Sequence, residues 1–91
     1  NRWCPLILRE LLSGTKRFGE LQRAVGGVSQ KVLTANLRDL ERAGILTRTV
    51  YPEVPPRVEY ALTDLGFSLE PVIDAMWKWG LNYQQTFSAQ G

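Results

Sequence analysis

The sequence contains no histidine and a single cysteine. Without imidazole there is no histidine-based catalytic triad and little scope for a zinc site, and one thiol forms no disulfide within the chain. No apolar run approaches the roughly 18 residues of a membrane span, and no charged-then-apolar leader opens the chain. A cytoplasmic location without membrane association is therefore expected, and the lone Cys4 suits a reducing compartment. Carboxylates are scattered, no glycine-rich loop follows a strand, and Gly26-Gly27 is sufficiently explained as a turn. These features speak against an enzyme and against a bound metal or cofactor. What remains is one small domain over residues 1–91, of which 44% are hydrophobic. A chain this short leaves about a third of its surface unburied and is expected to need a partner.

The net charge of +2 conceals an asymmetry. Residues 15–60 carry eight cations (Lys16, Arg17, Arg23, Lys31, Arg38, Arg42, Arg48 and Arg57) against five carboxylates, whereas residues 61–91 carry Lys78 against Asp64, Glu70 and Asp74. A polyanion is expected to meet the middle of the chain.

Pro5 stands where a first-turn proline is tolerated, and Ser13-Gly14 closes a first helix of about three turns. Trp3, Cys4, Leu6, Ile7, Leu8, Leu11 and Leu12 cover about 240° of its circumference, more than one small core is expected to occupy. The turn Ser13-Gly14-Thr15-Lys16 leads to a second, short helix over Phe18–Val25, with Phe18, Leu21, Ala24 and Val25 at helical spacing. Gly26-Gly27 ends it, and Ser29 is a good N-cap for a third helix running to Ala43 and closed by Gly44.

Projected at 100° per residue, the third helix separates into two faces. Val32, Leu33, Asn36, Leu37, Leu40 and Ala43 form one; Gln30, Lys31, Thr34, Ala35, Arg38, Glu41 and Arg42 form the other. The second set offers amide, hydroxyl and cationic groups of the kind that bond base edges and phosphates. A solvated helix face would look the same on this pattern alone. Residues 45–50 and 57–62 read as two strands around the proline-rich break at residues 52–56, with Arg48 and Arg57 at the base of a stiff hairpin tip. Three helices followed by a hairpin make a mainly α, winged helix-turn-helix arrangement.

Thr63 caps a last helix that starts near Asp64 and passes Trp79, with Pro71 forcing a kink or a break; the polar residues 84–91 are expected to fray. Its apolar residues spread over about 200°, and Trp77 and Trp79 cannot both face one core. Pairing of the first and last helices with a second copy would use this surplus, through Trp3, Ile7, Met76, Trp77, Trp79 and Tyr83.

Several segments in register carry a family pattern: Arg2-Trp3 with Leu6-Ile7-Leu8, Arg17-Phe18 with Glu20-Leu21, the run from Val28 to Thr34, Leu37-Arg38-Asp39-Leu40-Glu41, Gly44-Ile45-Leu46, Tyr51, and the run from Pro55 to Thr63. With Gly66, Leu69, Pro71 and Trp77 they make the chain resemble the HxlR-type winged helix-turn-helix transcription regulators, a branch related to the MarR regulators. The resemblance covers essentially the whole chain and implies a homodimer, joined through its N- and C-terminal helices, on a near-palindromic operator in double-stranded DNA. Third-helix contacts are expected from Ser29, Gln30, Lys31, Thr34, Ala35 and Arg38, and phosphate contacts from Lys16, Arg17 and the wing residue Arg57. For Arg57 an ion pair with Glu53 or Glu59 is the alternative. Some members respond to a small-molecule effector or to electrophiles through a cysteine just upstream of the first helix. Cys4 follows Trp3 on the helix itself and does not match that position, which would lie upstream of Asn1. An electrophile sensor using Cys4 and a winged helix that docks proteins without binding DNA are the competing readings.

Overall fold

A computed structural model describes the backbone of residues 2–90 and the side chains of residues 2–82. The order is α1 (Cys4–Leu12), β1 (Lys16–Arg17), α2 (Phe18–Val25), α3 (Gln30–Arg42), β2 (Leu46–Tyr51), β3 (Arg57–Leu62), α4 (Asp64–Phe67) and α5 (Glu70–Gln90). The expected mainly α winged helix is present, with a three-stranded antiparallel sheet ordered β1-β3-β2 in place of a plain hairpin. Lys16 and Arg17, read from sequence as turn and helix entry, pair with Tyr60 and Glu59 and occupy the second edge of β3. That pairing satisfies backbone groups that would otherwise need water.

The helix boundaries follow local chemistry. The Arg17 N–H donates to the Glu20 carboxylate at 2.8 Å, fixing the entry to α2. Gly26 and Gly27 both take positive φ, a region without steric cost only for glycine, and so allow the tight step from α2 toward α3. The Ser29 hydroxyl accepts from the Val32 N–H at 3.2 Å and caps α3. Thr63 caps α4 by accepting from Gly66 N–H at 3.1 Å, while its own hydroxyl donates to the Gly44 carbonyl at 2.6 Å. Gly66 itself is required by packing, because a Cβ there would run into the Ile45 carbonyl.

The core is aliphatic: Ile7, Leu11, Leu21, Leu33, Leu37 and Leu46 are fully buried, with Leu8, Val28, Tyr60, Leu62 and Ile73 close behind. This corrects the expectation for α1. Ile7 is 0% exposed inside its own domain and offers nothing to a second chain. The helix is central after all, since α2, β3 and α5 pack around it and absorb most of its wide apolar arc. Trp3 remains partly exposed at its start.

The C-terminal part breaks in two, at Ser68-Leu69, and Pro71 lies in the first turn of α5, where a missing N–H costs nothing. α5 then runs to Gln90, through the polar stretch expected to fray; between Gly80 and Gly91 that stretch contains neither glycine nor proline. Ile73 anchors α5 in the core, and one turn later the Arg9 guanidinium lies 3.6 Å from the Trp77 ring centroid. This cation–π contact ties α1 to α5.

Candidate nucleic-acid interface

α3 is held by its inner face, where Leu33 and Leu37 are buried and the Asn36 amide donates to the Val32 carbonyl at 2.9 Å. Its outer face is thereby fixed toward solvent. Ser29, Gln30, Lys31, Thr34, Ala35 and Arg38 line one shallow, open depression, so the six residues expected on the third helix stand together. All but the half-buried Thr34 are exposed. Gln30 and Lys31 occupy the N-terminal turn, where unpaired backbone N–H groups and the helix dipole favour negative charge.

The expected phosphate contacts divide. Lys16 and Arg17 sit on the edge strand β1, with Lys16 half-buried and Arg17 exposed. Arg57 is drawn inward: its Nη2 lies 3.2 Å from Glu53 Oε1, its Nε lies 3.8 Å from Glu59 Oε2, and its guanidinium stacks 4.1 Å from the Tyr51 ring centroid. Cross-strand register explains this, because Tyr51 pairs directly with Arg57 and Glu59 follows two residues on, on the same sheet face. Its Nε is buried without a hydrogen bond, so the ion-pair alternative describes the geometry of Arg57 better than a phosphate contact. Spacing along the chain brings Glu53 and Glu59 within reach of Arg57, whereas its stacking on Tyr51 follows only from the strand register.

A second groove, of about 210 Å³, runs between α3 and the wing. Gln30, Thr34, Arg38 and Glu41 lie on the helix side and Arg48 of β2 on the other.

The surfaces expected for self-association also divide. Met76, Trp77 and Trp79 of α5 are 51%, 40% and 67% exposed, although Trp77 is engaged by Arg9. The Tyr83 side chain lies outside the described residues. Cys4 is half-buried in an apolar groove between α1 and α5 beside Leu8, Leu69 and Met76. Burial pushes its thiol pKa up, which keeps it protonated and weakly nucleophilic at neutral pH. Iodoacetamide at pH 7.5 should therefore alkylate native Cys4 several-fold more slowly than the same chain in denaturant, as followed by mass spectrometry. Equal or faster reaction of the native protein would contradict the geometry.

Among the described residues no group of three or more potential ligands could hold a metal ion, and no helix is long and apolar enough to cross a membrane.

Residues 1–88 match the family model of the HxlR-like helix-turn-helix. An uncharacterised HTH-type transcriptional regulator of Synechocystis sp. is 49% identical over 90 residues, covering 99% of this chain and 67% of the relative, so the chain spans about two thirds of that protein's length. Among solved structures, the transcriptional regulator ytfH of Salmonella typhimurium superposes with a TM-score of 0.89 at 45% identity, covering 99% of this chain and 81% of that one. The reduced form of the redox regulator HypR also reaches a TM-score of 0.89, at 38% identity and 98% and 88% coverage.

Proposed function

The chain belongs to the HxlR-like helix-turn-helix family of transcription regulators, and from that premise we propose that it binds a near-palindromic DNA operator as a homodimer, one α3 and one wing to each half-site. The observation that carries this reading is the single open surface formed by Ser29, Gln30, Lys31, Thr34, Ala35 and Arg38 at the N-terminal side of α3. In helix-turn-helix proteins that end of the second motif helix enters the major groove. Gln30 and Thr34 carry groups that can discriminate bases, whereas Lys31 and Arg38 add charge that any duplex would attract. Lys16 and Arg17 meet phosphate from the edge strand, and Arg57 positions the wing through its two carboxylates and Tyr51.

A protein-docking module would present an apolar or acidic α3 face, and this face is neither. Sensing through Cys4 would need an activated thiol, and burial works against it.

Base contacts carry sequence information and phosphate contacts do not. Exchanging Gln30→Ala or Thr34→Ala should therefore change which sequences are enriched from a randomised duplex pool, with a cost at the affected position of about 1–3 kcal/mol. Both variants enriching the same sequences as the parent, with unchanged affinity, would remove α3 from base reading.

A further inference from the structure

We propose that Arg48 is a DNA-contacting residue that meets the phosphate strand bordering the groove entered by α3, with Arg38 on the opposite side of that strand. The proposal rests on the DNA-binding reading above and adds to it a contact that neither the α3 surface nor Arg57 supplies.

The placement follows from strand register. Leu46, Arg48 and Val50 alternate on one face of β2 and stand opposite Leu62, Tyr60 and Val58 of β3. This is the face that closes the core, because Leu46, Tyr60 and Leu62 are buried. Arg48 shares that face and stands opposite the buried Tyr60, yet is itself exposed, because it borders the open groove between α3 and the wing. A cation thus stands where alternation would otherwise place an apolar side chain, and it lines the groove between the wing and α3. Across the groove are Gln30, Thr34 and Arg38, three of the residues on the proposed recognition surface.

Charge accounting separates Arg48 from the other wing cation. Arg57 is bound by Glu53 and Glu59, and Arg42 by Asp39. Among the described residues neither Arg38 nor Arg48 is in an ion pair, although Glu41 lines the same groove on the helix side. Two unpaired guanidinium groups flanking one carboxylate leave a slot of net positive charge. A helix lying in the major groove has a phosphate strand running along its side, and a hairpin beside that helix lies over the strand. The slot between α3 and the wing is where that strand passes, and the partially exposed Val58 offers apolar surface to its sugars.

The test uses the full chain and the duplex it enriches from a random pool, with affinity measured across a salt series. Arg48→Ala should weaken binding about tenfold or more and reduce the steepness of the log–log salt dependence by about 0.9 for each subunit's lost contact. Base preference and melting temperature should stay unchanged, because Arg48 is exposed and phosphate carries no sequence information. Arg48→Lys, which keeps the charge, should retain most of the salt slope. Unchanged affinity and slope in Arg48→Ala would overturn the proposal while leaving the DNA-binding reading intact. Altered base preference without a change in slope would overturn the phosphate assignment. A parent protein that enriches no duplex would remove the DNA-binding reading and this proposal with it.

Discussion

Raising salt from about 50 to 200 mM should weaken duplex binding by about 10³-fold or more. Each phosphate neutralised by a cation releases a condensed counterion, so the observed binding constant falls with a log–log slope of about −0.9 per contact. The exposed cations on the proposed face are Arg17, Lys31, Arg38 and Arg48, with the half-buried Lys16 beside them. Two copies on one operator would engage about six to ten phosphates, the range in which losses of about 10³ to 10⁵ are expected over that salt interval. Arg42 and Arg57 contribute less, since carboxylates already hold them. The measurement is a titration of labelled duplex at several salt concentrations. Affinity flat across the interval would mean that the basic middle of the chain is only a solvated surface.

Truncating Trp79 to Ala should cost the proposed homodimer about 2–4 kcal/mol, a shift of about 30- to 1000-fold in its dissociation constant. The reason lies in how α5 divides its apolar residues. Ile73 and Trp77, one turn apart, face α1, the first buried and the second beneath Arg9. Val72, Met76 and Trp79 follow at i, i+4 and i+7 on a neighbouring stripe and are 54%, 51% and 67% exposed. An outward apolar stripe of this kind marks an interaction surface, and a large aromatic ring leads the energetics of such contacts. Trp79 is the cleaner target, because Trp77→Ala would also loosen α5 from its own domain. Sedimentation should show the variant dissociating at concentrations where the parent remains dimeric, with operator affinity falling alongside. A parent that is a stable monomer at micromolar concentration, or a Trp79→Ala protein with an unaltered dimer, would refute this assignment.

Much of this arrangement could be read from residue order. Ser29, Gly44 and the apolar spacing between them delimit α3 to within a residue, and the polar set on its outer face is one surface in the structure. Local signals suffice there, because a cap, a period and a stop act within a few residues of one another. Features that depend on distant pairing were not legible. β1 is two residues long, too short to show any alternation, and exists only because β3 has a second edge to fill. By its own sequence helix α1 is too apolar for one core, whereas β3 and α5 converge on it from far along the chain and, with α2, cover Ile7 completely. Pro71 marked a break correctly but one turn late, since a proline is compatible with the first turn of the helix it begins. The stacking of Arg57 on Tyr51, and the shared face of Arg48 and Tyr60, both follow from a register that no local pattern specifies.

The central claim, two copies reading one operator through α3, is tested most directly by selecting duplexes from a random pool and weighing the resulting complex. The account predicts an inverted repeat whose half-sites lie about one helical turn apart, bound by two chains per duplex. Enrichment of no sequence, or of a single half-site bound by one chain, would contradict it.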